Sequence, residues 1–198
     1  MYRFIESIKL LDGIFYRLKF HQKRMNICSE LFYPNDNFIH LQSALTDSHP
    51  PQKGLFKCKV TFESKILKIE YLPYKKKEIN SLRIVHTEIE SRPYKKEDRT
   101  DFNAAFDMRG NYDDVLLMKN GLLTDTSICN IALFDGFSWQ TPTKPLIYGV
   151  NRANLLEEGK IFEKDIKLSD LQNYSAIRLF NALIEFGEIE LNISNIHF

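Results

Sequence analysis

Two dipeptides constrain the second half of this chain more than any other feature. Asn120-Gly121 and Asp135-Gly136 each interrupt apolar runs. Such a pair between hydrophobic segments is the strongest short-range hairpin signal, because tight hairpin turns need positive φ at their centre. Between the two turns, Asp125 sits in a small polar segment that leads into the apolar run Asn130 to Phe134. Beyond them, Leu146-Ile147-Tyr148 is followed by Gly149-Val150-Asn151-Arg152, which opens a helical pattern reaching Glu158. A strand, a glycine turn and a fresh helix N-terminus present unpaired backbone N–H groups, which suits a phosphate. Residues 120–152 therefore combine one fixed anion with one anion-binding turn.

The rest of the chain is read around that stretch. Arg3 to Leu11 and Ile14 to Leu18 flank Asp12-Gly13 and predict a hairpin. His21 to Phe32 changes to helical period, with Met25, Cys28, Leu31 and Phe32 recurring on it. Pro34-Asn35-Asp36 breaks that helix, and Phe38 to Leu45 predicts a shorter one after an Asn/Asp cap. Leu55 to Phe62 alternates cleanly and pairs with Ile66 to Leu72 across Glu63-Ser64. The lysine-rich Pro73 to Glu78 reads as a linker, so residues 1–76 form a small α+β domain. Residues 77–198 form a larger β-rich one. It holds strands at Leu82 to Thr87, Val115 to Met118, Leu122 to Asp125, Asn130 to Phe134, Ser138 to Thr141 and Ala176 to Phe180. Helices are expected near Arg99 to Met108, after Gly149 and from Leu168 to Tyr174, with a polar loop at Glu88 to Asp98.

Composition removes several function classes. A net charge of +1 gives no electrostatic case for nucleic acid or an anionic membrane surface. No apolar run approaches the ~20 residues that a membrane span needs. The first residues carry a charge inside their apolar run, unlike a signal peptide. Cys28, Cys58 and Cys129 are odd in number and far apart, as expected of reduced core thiols in a cytoplasmic protein. The five histidines stand at no metal-ligand spacing, so no metal site is expected. Nucleotide and hydrolase signatures are absent as well. What remains is lysine, aspartate and arginine around an anion-binding turn. Pyridoxal 5′-phosphate calls for that set: a lysine for its aldehyde, an acid for its ring nitrogen, and backbone N–H groups with an arginine for its phosphate.

Taken in order, five motifs resemble the class IV aminotransferases, the fold-type IV pyridoxal-phosphate enzymes, from about Phe4 to Glu190. Phe4-Ile5-Glu6-Ser7-Ile8-Lys9 with Asp12-Gly13 is similar to the family's F-E-T-I-R…D-G hairpin. His21-Gln22-Lys23-Arg24 is similar to its H-x-x-R helix start, and the resemblance makes Arg24 a phosphate ligand. Lys95 and Arg99, four residues apart, reproduce the spacing of the Schiff-base lysine and arginine in the lyase branch. Lys96 is the rival for the lysine, and Arg92, Lys96 and Arg99 are cationic neighbours that favour a neutral amine at Lys95. Gly121…Asp125…Asn130 resembles G-x-v-x-E-x-x-x-x-N, with aspartate where the family usually has glutamate. By resemblance Asp125 pairs with the pyridinium nitrogen, and the chain continues through Thr141-Pro142 to Gly149-Val150-Asn151-Arg152, where Val150 and Asn151 meet the phosphate. Phe180-Asn181-Ala182-Leu183 is close to the lyase branch's N-A/S-L turn, placing Asn181 by the cofactor and Ala182, with Arg99, by the substrate.

The resemblance implies an α+β, two-domain enzyme: a small α/β sandwich followed by a mostly antiparallel, barrel-like domain with flanking helices. It further implies a homodimer and a small-molecule amino substrate. The leading expectation is a 4-amino-4-deoxychorismate lyase, which releases pyruvate and 4-aminobenzoate for folate biosynthesis. The alternatives are an aminotransferase of branched-chain or D-amino-acid type and an inactive cofactor-binding relative. Family members usually carry a further segment before the F-E-T-I-R hairpin, and this chain starts almost at the hairpin.

Overall fold

The computed structural model describes residues 2–198, which fall into two compact units. The first comprises residues up to Lys76 together with Pro93–Asp98, and the second Lys77–Arg92 with Arg99–Phe198.

In the first unit, strands β1 (Phe4–Leu11), β2 (Ile14–Phe15), β3 (Leu55–Phe62) and β4 (Ile66–Pro73) make an antiparallel sheet ordered β2-β1-β3-β4. The β1–β2 turn places Asp12 and Gly13 at φ 47° and 80°, as the Asp-Gly pair predicts. Ile14 to Leu18 does not continue as a strand. Pairing stops at Phe15, Arg17 takes a left-handed φ of 58°, and helix α1 runs Leu18–Phe32. Helix α2 spans Leu41–Asp47 rather than starting at Phe38, and its cap is not an Asn or Asp. Instead Gln22 Oε1 of α1 accepts from the Leu41 N–H, a contact invisible to local capping rules. Both helices pack through Met25, Cys28, Leu41 and Leu45 onto the sheet's Phe4, Ile8, Cys58, Val60 and Phe62.

Pro93–Asp98 is no free loop. Ile5 N–H donates to the Lys95 carbonyl and Glu97 N–H to the Arg3 carbonyl, both at 2.9 Å. The segment thus lies along the edge of β1 that β2 leaves open.

The second unit is built on strands β5 (Leu82–His86), β6 (Asp114–Lys119), β7 (Leu122–Thr126), β8 (Asn130–Phe134), β9 (Trp139–Pro142), β10 (Phe162–Lys164) and β11 (Ala176–Phe180). Short strands β12 (Glu190–Asn192) and β13 (Ile196–His197) complete it. The sheet runs β10-β9-β8-β7-β6-β5-β13, with β11 bridging β8 and β12. Pairing is antiparallel except at β5–β6, β5–β13 and β9–β10, and among the described residues the path does not close into a barrel. The Asn120-Gly121 turn adopts φ 51° and 77° between β6 and β7. Helices α3 (Thr100–Asp107) and α4 (Val150–Glu157) flank the sheet. Leu82, Leu116, Leu123, Ile131, Leu133, Ile177 and Leu179 form the main core beneath it.

Candidate functional site

The chemistry-bearing residues gather in one cluster on each unit. On the first, β1 alternates, so Phe4, Glu6, Ile8 and Leu10 share the face covered by α1, while Ile5, Ser7 and Lys9 share the other. His21 and Arg24, three residues apart, lie on one face of α1, and both are buried. They meet on Glu6. Arg24 donates Nε to Oε1 at 2.7 Å and Nη2 to Oε2 at 2.6 Å, and His21 Nδ1 lies 2.5 Å from Oε2. Burial pushes the Glu6 carboxyl up, but the Arg24 charge and the His21 hydrogen bond outweigh it and hold it at about 2. Glu6 is therefore a carboxylate that fixes both helix residues, and it accepts from the protonated Nδ1. Burial lowers the proton affinity of His21, which keeps its Nε2 unprotonated. That Nε2 is a buried atom without a partner among the described residues.

Lys95 and Lys96 diverge. Lys95 Nζ is 3.5 Å from Ser7 Oγ, whereas Lys96 Nζ lies over the Tyr2 ring at 5.4 Å. Adjacent residues on an extended segment point to opposite sides, so only one of the two can serve the Ser7 face.

On the second unit, Asp125 is 3% exposed at the end of β7. Its Oδ1 accepts from Asn130 Nδ2 at 2.8 Å and its Oδ2 from the Ile147 N–H at 2.9 Å. Asn130 Nδ2 also donates to the Ile147 carbonyl, so one amide ties β7, β8 and the approach to α4 together. A Cβ on Gly149 would fall 1.9 Å from Asn130 Oδ1, which is why glycine stands there. Burial raises the Asp125 carboxyl to about 6 despite its two donors. Among the described residues no lysine or arginine forms an ion pair with it. The Arg152 charge lowers it only in part and without an ion pair, so the carboxylate is buried, held by two hydrogen-bond donors and incompletely neutralised.

Val150 and Asn151 occupy the first turn of α4, where backbone N–H groups have no partner within the helix. The Asn151 side chain is directed elsewhere. Its Nδ2 donates to the carbonyls of Asn181 and Ile184, and its Oδ1 is buried without a partner among the described residues. Asn181 organises its own turn, accepting from the Leu183 and Ile184 N–H groups and donating to the Ile128 carbonyl. Ala182 is half-buried in that turn. Arg99 is the N-cap residue of α3, donates to the Ser127 carbonyl at 2.8 Å and lies 5.3 Å over Phe102. It lines a cleft of ≈ 200 Å³ with Lys77, Asn103, Phe106, Asp114 and Ser127.

Lys95 and Arg24 thus stand on the first unit, and Asp125, Val150, Asn151, Asn181, Ala182 and Arg99 on the second. Two organising residues carried no role in the sequence reading: Glu6, which orients Arg24, and Asn130, which orients Asp125. Both were visible as the acid of the first motif and the asparagine of the fourth, but hydrogen-bond partners 18 and 5 residues away are not.

Residues 3–190 match the family model described as Amino-transferase class IV. An uncharacterized protein of Haemophilus influenzae is 30% identical over 185 residues, covering 92% of this chain and 98% of that protein. The crystal structure of a proposed 4-amino-4-deoxychorismate lyase from Haemophilus somnus is similar at a TM-score of 0.86 and 27% identity, covering 93% of this chain and 98% of that one. A proposed amino-acid aminotransferase from Mesorhizobium loti shares the fold at a TM-score of 0.82 and 22% identity, covering 97% and 99%.

Proposed function

The chain belongs to the class IV aminotransferase family, an enzyme family dependent on pyridoxal 5′-phosphate, and we propose that it acts as a 4-amino-4-deoxychorismate lyase. The observation that carries the cofactor reading is Asp125, a buried carboxylate with a raised proton affinity that forms no ion pair among the described residues, the Arg152 charge only partly offsetting its burial. The Lys95 to Arg99 spacing and the Asn181-Ala182-Leu183 turn support the lyase branch, as does the likeness to the Haemophilus somnus protein.

Bound pyridoxal phosphate supplies an aldehyde for the lysine and a ring that draws electrons away from the substrate carbon. The chain's own groups do the rest, and the reading draws on residues of both units. Lys95 would hold the aldehyde through Nζ and would also be the group that carries protons to and from the substrate as general acid and base. Asp125, fixed by Asn130 and the Ile147 N–H, would keep the ring nitrogen protonated. Arg24 and the N–H groups of Val150 and Asn151 hold the phosphate, Glu6 keeping the guanidinium in one orientation. Arg24 has committed two nitrogens of its fork to Glu6, which narrows what it would offer the phosphate. Asn181 is assigned beside the cofactor, and Ala182 and Arg99 receive the substrate.

We take the protein to be a cytoplasmic homodimer acting on a small amino compound. The three cysteines are free and buried, and no described helix is long and apolar enough to cross a membrane. Pyruvate released on adding 4-amino-4-deoxychorismate is the expected result, and no pyruvate with a fully loaded protein removes the lyase assignment. A second reading, amino-acid aminotransferase, is favoured by the likeness to the Mesorhizobium loti protein. It predicts conversion of the bound cofactor to its amine form by an amino donor, with no carbon–carbon or carbon–nitrogen cleavage.

A further inference from the structure

The proposed phosphate site uses only the backbone N–H of Asn151, yet the residue is 1% exposed and its side chain makes contacts of its own. Nδ2 donates to the Asn181 carbonyl at 2.9 Å and to the Ile184 carbonyl at 3.2 Å, so one amide holds both ends of the 181–184 turn. That turn also closes on itself. Asn181 N–H donates to the Ile184 carbonyl at 3.1 Å, and Asn181 Oδ1 accepts from the Leu183 and Ile184 N–H groups at 2.8 and 2.9 Å. On its other side Asn181 Nδ2 donates to the Ile128 carbonyl at 3.2 Å, three residues after Asp125. The turn is therefore tied to the phosphate end of residues 120–152 through Asn151 and to the acid end through Asn181. All of these groups stand in the second unit. Asn151 Oδ1, although buried, has no partner among the described residues. A buried acceptor left unmet costs stability, so an asparagine that served only to fasten the turn would be a poor choice.

We propose that Asn151 is a positioning residue that couples cofactor to substrate: a phosphate held on the first-turn N–H groups of α4 fixes the Asn151 side chain, and through it the 181–184 turn assigned to the substrate. The inference rests on the reading of Val150 and Asn151 as phosphate ligands. The N–H and the amide belong to one residue, so anchoring the first narrows the positions open to the second. Binding that orders one element lowers the cost of ordering whatever is bonded to it, which links two sites without any large movement. The plain alternative is a buried amide that fastens the turn equally with and without cofactor.

Hydrogen–deuterium exchange with peptide resolution separates the two. The protein is stripped of cofactor with hydroxylamine, and exchange is compared with and without saturating pyridoxal 5′-phosphate. In the wild type, loading protects residues 149–153 and slows the Leu183 and Ile184 amides by on the order of tenfold, the worth of about one hydrogen bond. In Asn151→Ala at saturating cofactor, residues 149–153 are still protected, but the slowing at Leu183 and Ile184 falls below about twofold. Asn151→Ser, whose side chain is too short to span both carbonyls, gives the same result where Asn151→Ala fails to fold. Full slowing at Leu183 and Ile184 in a folded, loaded variant means that the cofactor orders the turn by direct contact, and overturns the proposal. A wild-type turn that exchanges at one rate with and without cofactor, while residues 149–153 gain protection, overturns it as well and leaves the phosphate reading standing. No protection at 149–153 in a wild type that binds cofactor removes the phosphate reading itself, and the proposal with it.

Discussion

Asn130 Nδ2 donates to Asp125 Oδ1 at 2.8 Å, across the single residue pair that joins β7 to β8. The same amide nitrogen reaches the Ile147 carbonyl, two residues before the start of the Gly149 turn. The acid and the anion-binding turn are thus one hydrogen-bonded assembly, which explains why both fall within residues 120–152. Replacing Asn130 by Leu removes one of the two donors to a buried carboxylate, a loss of about 1–3 kcal/mol for an unmet group. Cofactor affinity, followed by absorbance titration, falls with it. Unchanged affinity in a folded Asn130→Leu protein contradicts the assembly.

Gly149→Ala tests the same contact by crowding. The added Cβ would sit 1.9 Å from Asn130 Oδ1, so the amide must move. Urea unfolding should show a loss of about 1–3 kcal/mol, typical of overpacking at a site that cannot relax freely. Gly136→Ala meets no atom within 4 Å, and its effect comes from its left-handed φ of 97° alone.

Asp125 and Glu6 give opposite pH signatures. The folded-state pKa of Asp125 is raised, from 3.8 to about 6, so its contribution to stability is fully present below pH 3.8 and is lost as pH rises through 6. Without cofactor, the wild type should lose ground to Asp125→Asn between about pH 4 and pH 7, by on the order of 3 kcal/mol. Glu6 is lowered from 4.5 to about 2, so its stabilisation is present above pH 4.5 and is lost as pH falls toward 2. Denaturant unfolding across pH 3–8 reads both signs, and a flat difference between the wild type and Asp125→Asn contradicts the first.

Glu6→Gln leaves the buried Arg24 charge without its partner. Breaking a buried pair from one side typically removes about 3–5 kcal/mol. Thermal unfolding should register that loss at pH 7. A variant as stable as the wild type means that Arg24 finds another anion.

Asn181→Ala exposes a double role. Its Oδ1 satisfies two backbone N–H groups, so stability should fall by about 1–3 kcal/mol even without cofactor. If unfolding is unaffected and only catalysis changes, Asn181 acts on the ligand and not on its turn.

Much of this was legible in the sequence because the signals were local. Asp12-Gly13 and Asn120-Gly121 specify turns through backbone φ, and Asp125 and Asn130 stand five residues apart on adjoining strands. Other features depend on distant partners. The capping of α2 by Gln22 moves its start to Leu41, and the 88–98 segment reads as a polar loop because its pairing partners are far away in the sequence. Arg92 bridges to Ile147, whereas Lys96 bridges to Phe4. The parallel pairing of Ile196 and His197 with β5 joins residues over a hundred positions apart, which periodicity cannot anticipate. Arg24 read as an open phosphate ligand because nothing local announces that Glu6 grips it.

The central claim is that Lys95, and not Lys96, carries pyridoxal phosphate. Borohydride reduction of the cofactor-loaded protein followed by peptide mapping tests it directly. The account predicts a pyridoxyl adduct on Lys95, retained in Lys96→Ala and lost in Lys95→Ala. An adduct on Lys96, or on no lysine of a protein with bound cofactor, contradicts it.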